Sequence, residues 1–316
     1  KVVALVKDDS EVASLKAGET AWALTNQTPF YAESGGQVGD TGFFQKQCKN
    51  IAEVLDTKKF ADGLHAHKIT ALSTITKDDT LELVIDNERR DRLRANHSAT
   101  HLLNAALRNI LGPHVTQKGS EVGPDKLRFD ISHPKALTPE EIAAVEAEVN
   151  AQIWQNTPAT TQLMATDDAI KAGAVAMFGE KYGDEVRVLS MGTVNDNNIA
   201  YSVELCGGTH VSRTGDIGLF KITSESALAA GVRRIEGVTR NGAFAYLNER
   251  NITLQNLALE NKVAIADLPD RIAQLQAEKK RLEKELADAK KKLALGGPGG
   301  GGAIEKEQLG SLTFAS

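Results

Sequence analysis

Hydrophobic and polar positions alternate in short runs over the first part of the chain, then lengthen into a helical period. Strand-like runs at residues 2–6, 20–24, 38–44, 65–69 and 81–85, broken by turn residues, predict a small barrel-like β unit over 1–86. Residues 89–111 read as helix, with Leu93, Ala99, Leu102, Leu103, Ala106, Leu107 and Ile110 on or near one stripe. Thr138-Pro139-Glu140-Glu141 is a helix start, with threonine as cap and proline at the first helical position. It leads a helix to about residue 156, with Ile142, Val145, Val149 and Ile153 along one face. Thr166-Asp167-Asp168 starts a shorter helix ending before Gly179. Strand runs follow at 186–190, 199–205, 219–224 and 231–238. Helices beside consecutive, hairpin-like strands predict an α+β two-layer sandwich over 87–240.

From Asn241 the pattern changes again. Residues 243–266 read as one helix, Leu268-Pro269 as a break, and 270–295 as a second helix. In the latter Ile272, Leu275, Leu282, Leu286, Ala289 and Leu293 follow coiled-coil spacing, with Lys279 interrupting it. An antiparallel helical hairpin over 241–295 is the first expectation, and a coiled-coil seam for self-association the second. The glycine-rich run 296–302 predicts a flexible linker, and the tail to residue 316 is too short to fold alone.

Composition narrows the class. A 41% hydrophobic and 25% charged chain is ordinary for a globular protein. The net charge of −5 gives no global sign of a nucleic-acid binder, so any RNA contact must come from local basic patches. Arg89, Arg90, Arg92 and Arg94 form one such patch: either phosphate ligands or a solvated helix face paired with nearby acids. Two cysteines, Cys48 and Cys206, do not make a disulfide scaffold, and a reduced, cytoplasmic setting is expected. No apolar run is long enough to span a bilayer, so no membrane partner is expected. The chain opens on Lys1 without a signal-peptide pattern and reads as a piece of a longer protein.

The chemistry concentrates in two stretches. His97 and His101 stand four apart on the predicted helix, so both imidazoles can point at one spot. Cys206-Gly207-Gly208-Thr209-His210 supplies a thiol and a third imidazole. Three His and one Cys suit zinc. Ser98 follows His97 where the metalloprotease pattern needs a glutamate, which argues against peptide hydrolysis. The glycine-rich stretch from Thr28 to Gly42 is either a loop packed over a metal cleft or a set of tight hairpins. His65, His67, His114 and His133 read as surface or satisfied core residues.

Taken together, His97-x3-His101, Cys206-x3-His210, Phe30-Tyr31-Ala32-Glu33-Ser34-Gly35-Gly36-Gln37 and Gln117-Lys118-Gly119-Ser120 resemble the editing region of the bacterial alanyl-tRNA synthetase family. The resemblance runs from residue 1 to about 295. It implies hydrolysis of serine or glycine wrongly attached to alanine-specific tRNA, a zinc cofactor on His97, His101, Cys206 and His210, and Thr100 and Gln117 lining the amino-acid pocket. An apolar pocket discriminates such small amino acids by only about tenfold to a few hundredfold, which is why a second site is needed. With three protein ligands a metal position stays open, for water or for the substrate's amino group; with four the shell is closed and structural. The ATP-dependent aminoacylation domain is not in this sequence, so the chain is not expected to activate alanine. The competing expectations are an RNA-binding module with a purely structural zinc, and a free-standing editing protein.

Overall fold

A computed structural model of the chain describes residues 1–60, 63–171, 173–175, 183–195, 199–294, 306–309 and 312–315. The contacts divide the chain into two units, Lys1–Tyr246 and Leu247–Ser316.

The first unit opens with nine strands: β1 (Val2–Lys7), β2 (Ser10–Glu11), β3 (Ser14–Leu15), β4 (Thr20–Thr25), β5 (Gly42–Lys46), β6 (Lys49–Lys59), β7 (His65–Ala71), β8 (Ile75–Thr76) and β9 (Glu82–Ile85). Seven form one sheet in the order β2-β1-β4-β7-β6-β5-β9, and β3 pairs with β8 separately. The expected barrel does not close. The terminal strands β2 and β9 are short and unpaired with each other, so the sheet stays open among the described residues. One face buries Leu5, Ala23, Phe44, Val54 and Ile69 in a core shared with Phe30.

Residues 38–41, expected as strand, are a loop. Val38 N–H donates to the Val122 carbonyl and Asp40 N–H to that of Tyr31, so these groups are satisfied without a ladder. Strand β6 was not expected, because its sequence is largely polar; β5 and β7 pair with it on either side.

The rest of this unit is α1 (Asn87–Leu111), β10 (Gln117–Val122), β11 (Leu127–Ser132), α2 (Pro139–Trp154), β12 (Thr160–Ala165), α3 (Thr166–Lys171), β13 (Glu185–Val194), β14 (Ala200–Leu205), β15 (Phe220–Ala229), β16 (Val232–Thr239) and the start of α4 (Arg240–Asn261). Asp86 caps α1 by accepting from Arg89 N–H. Thr138 and Glu141 form a reciprocal capping box on α2. The described part of α3 ends at Lys171, and Gly179 lies outside the described residues.

Strands pair antiparallel as β10-β11-β16-β15 and as β12-β13-β14. The α1 residues Leu102, Leu103 and Leu107 share one core with Val145 and Val149 of α2, Phe129 and Ile235 of the larger sheet, and Leu189 and Met191 of β13. The mixed α+β expectation is met, with the helices sharing their core with two sheets rather than one. Each fully buried leucine contributes about 1.5–3 kcal/mol, enough to fix the rotation of α1 and hence the direction in which His97 and His101 point.

In the second unit, α4 ends at Asn261 and α5 spans Leu268–Ala294 after a short 3-10 turn, Ile265–Asp267. The break therefore falls before Leu268-Pro269. Proline starts the second helix instead of ending the first, because its missing N–H costs nothing in a first turn. The expected hairpin packing is not formed: Leu254 and Leu257 of α4 and Leu275, Leu282 and Leu286 of α5 all remain exposed. The glycine linker 296–302 lies outside the described residues. In the tail β17 (Lys306–Leu309) pairs antiparallel with β18 (Leu312–Ala315).

Candidate metal centre

Helix α1 delivers His97 and His101 on one face, and the loop after β14 delivers Cys206 and His210. Their donor atoms all lie within 4.8 Å of one another. The Cys206 Sγ is 3.5 Å from His97 Nε2 and 3.2 Å from His210 Nε2. A zinc tetrahedron built with bonds of about 2.0–2.3 Å has edges of roughly 3.4–3.6 Å, close to these two sulfur–nitrogen distances. His101 Nε2 is buried and without a hydrogen-bond partner, as expected of an atom reserved for a ligand.

Each ring is held from behind through Nδ1. His97 donates to Gln37 Oε1 at 2.7 Å and His101 to Glu204 Oε2 at 2.5 Å, while His210 meets Ser98 Oγ at 3.3 Å. Asn104 donates to the other Glu204 oxygen at 2.9 Å. Such outer contacts fix the tautomer and leave the Nε2 lone pair facing the centre. Glycine at 208 is required sterically, since a Cβ there would sit 2.1 Å from His97 Cε1.

The electrostatics favour the ligating form of the thiol. Burial opposes ionisation of Cys206, but the His97 and His101 charges beside it and the contact with His210 hold its pKa well below the usual thiol value. Burial likewise disfavours a charged His101, yet the Glu204 carboxylate and Cys206 thiolate push its pKa up to about 10. His210 is driven down to about 3, first by burial and then by the nearby His97 charge. A metal would replace the His101 proton as the counter-charge to Cys206.

The glycine-rich stretch packs over this cluster. Gln37, fully buried, also accepts from Thr209 N–H and donates to Thr209 Oγ1. Arg89 donates to the Gly39 carbonyl, and Arg90 pairs with buried Asp40 and the Pro29 carbonyl, cinching the loop. Arg92 pairs with Asp125 and Arg94 with Asp91. The arginine run is thus bonded within the protein.

A cavity of about 430 Å³ opens beside the cluster, lined by His97, Cys206, Gly207 to Thr209, Tyr31, Ser34, Lys59, Arg90 and Arg187 among others. A second, of about 340 Å³, lies against His210 and shares Tyr31, Arg187 and the Gly207–Thr209 segment. Thr100 and Gln117 line neither. Thr100 is buried with its hydroxyl on the Asn96 carbonyl at 2.8 Å, and Gln117 sits half-buried at the start of β10. His67 is a satisfied core residue, bonded to Thr28 and to the Ala23 carbonyl, and His114 pairs with His133 at 3.0 Å.

Residues 186–236 match the family described as threonyl and alanyl tRNA synthetase second additional domain, and residues 1–89 match class II (A) tRNA synthetases. Alanine–tRNA ligases from Sphingopyxis alaskensis and Rhizorhabdus wittichii are 57% and 56% identical over 99% of the chain, and that of Parvibaculum lavamentivorans 56% identical over 96%. The chain belongs to the alanyl-tRNA synthetase family. It spans only 36%, 36% and 34% of the length of these three relatives. The second-additional-domain match contains all but the first residue of β13, the whole of β14 and β15 and most of β16, and so carries Cys206, His210 and Glu204.

Sequence reasoning missed Gln37, Ser98, Asn104 and Glu204. Ser98 and Asn104 share the helix of the paired histidines, and Glu204 stands two residues before Cys206. A polar residue inside the apolar stripe of α1 was the available signal. Gln37 stands in the glycine-rich motif already singled out, but its role as a brace for His97 had no local signal, as its partner lies 60 positions away.

Proposed function

We propose that the chain is the editing segment of an alanyl-tRNA synthetase, hydrolysing the ester of serine or glycine wrongly joined to alanine-specific tRNA. The observation that carries the reading is the convergence of His97, His101, Cys206 and His210 beside a cavity that His97 and Cys206 line, with no acidic lining residue among the described residues. Zinc bound there would supply Lewis acidity, polarising a carbonyl or lowering the pKa of water to about 7. The protein's own residues do the rest. Gln37, Glu204 and Ser98 fix the three rings, Cys206 is kept as thiolate, and the open side of the cluster toward the cavity is formed by His97 and Cys206. Among the described residues no carboxylate lines this cavity, so none of them stands there as general base for an attacking water.

Four converging donors also favour a second reading, a closed zinc shell that only staples α1 to the loop after β14. The test is ester loss from seryl-tRNA with zinc-loaded protein, beside a Cys206→Ala variant shown by circular dichroism to be folded. Loss of hydrolysis in the variant supports the first reading; undiminished hydrolysis sinks it. The assignment of Thr100 and Gln117 to the amino-acid pocket is checked in the same assay. Thr100→Ala and Gln117→Ala should slow the seryl ester more than the glycyl ester, and equal effects on both count against it.

A further inference from the structure

We propose that Arg187 anchors the phosphodiester joining the terminal nucleoside of the RNA to the nucleotide before it. The proposal rests on the editing reading and names the part of the substrate held outside the reacting ester. Arg187 lies on β13 between buried Val186 and Val188, so the pleat turns it outward. Its Nη1 donates to the Gly207 carbonyl at 3.3 Å, and its own carbonyl accepts from Cys206 N–H at 3.0 Å. The guanidinium is thereby tied to the segment that carries the cluster. It stands where the two cavities meet, since it lines both.

Its charge is uncompensated. Arg90 pairs with Asp40 and Arg94 with Asp91, but among the described residues Arg187 makes no ion pair and no acid lines either cavity. Lys59, on the cavity beside the cluster, is likewise without an ion pair among the described residues. A concave, acid-free surface with free cations attracts an anion. One guanidinium N–H is used on Gly207, which leaves the others for phosphate oxygens. A nucleoside carrying its ester to the His97 and Cys206 side would leave the preceding phosphate at the rim, where Arg187 stands.

The test compares two seryl esters hydrolysed by the zinc-loaded full chain: one on adenosine, which has no phosphate, and one on a short RNA ending in CCA. In Arg187→Ala, KM for the RNA ester should rise about tenfold with kcat within about twofold, while the adenosine ester shows no comparable loss. The salt dependence of RNA binding should fall by roughly 0.7 in log–log slope. Zinc content should stay equal to wild type, and Arg187→Lys should recover part of the binding. Equal losses on both esters, or loss of zinc, would overturn the proposal and leave Arg187 a prop for the Gly207 segment. If wild-type protein hydrolyses neither ester, the editing reading fails by itself. Fluorescence anisotropy with the unacylated RNA then decides the anchor: about tenfold weaker binding by Arg187→Ala upholds it, and unchanged binding overturns it.

Discussion

At the scale of single residues, the centre depends on atoms behind the ligands as much as on the ligands. Glu204 accepts from His101 and from Asn104 in a buried site, an arrangement that orients the ring and raises its basicity toward a metal. Glu204→Gln keeps the shape but removes the charge. Zinc affinity, measured by competition with a chelator, should fall by about 10–100-fold while circular dichroism stays unchanged; unaltered affinity would mean that Glu204 is packing only. The His97 and His101 pair was legible because positions four apart share a helix face. Glu204 was not, since it meets His101 across 103 positions. Thr100 shows the converse: a hydroxyl on the metal-bearing helix spends its hydrogen bond on the backbone one turn back.

Elements show where local pattern decides and where neighbours do. The capped starts of α1 and α2 follow from Asp86 and from Thr138 with Glu141, because caps are local chemistry. Strand β6 and the loop 38–41 follow from partners elsewhere in the chain. The N-terminal sheet also carries a pH dependence. His67 is buried between Phe30 and Phe44, and burial lowers its pKa from 6.5 to about 4. The unfolded chain therefore binds a proton that the folded sheet resists, so stability is full above about pH 6.5 and is lost as pH falls toward 4. The loss from this group is roughly 3 kcal/mol. Urea midpoints measured across that window should fall less steeply in His67→Leu than in wild type; parallel curves would assign the slope to other groups. In α5 the exposed row Leu275, Leu282 and Leu286 is an unsatisfied seam. Light scattering over a concentration series should show association that Leu282→Lys abolishes, and a monomer throughout would remove self-association through α5.

For the whole molecule, the cluster joins parts that are distant in the chain. The N-terminal loop enters through Gln37, α1 through its histidines, and the loop after β14 through Cys206 and His210. Zinc that binds only when these are assembled stabilises the fold by mass action, about 4 kcal/mol at a thousandfold excess over Kd. Adding zinc to chelator-treated protein should raise Tm, and Cys206→Ala should lose most of that rise. Equal shifts in both proteins would place the metal elsewhere.

The sequence alone determined the helix carrying His97 and His101, the pairing of that motif with Cys206 and His210, and the family. All of these rest on short-range spacing or on motifs that occur together. Only the tertiary structure decided that the N-terminal sheet stays open, that Gln37 and Glu204 brace the rings, that the arginine run is spent on internal contacts, and that Arg187 meets no acid among the described residues. Those outcomes depend on which groups meet after long loops close and on which charges find partners, and no local periodicity encodes either.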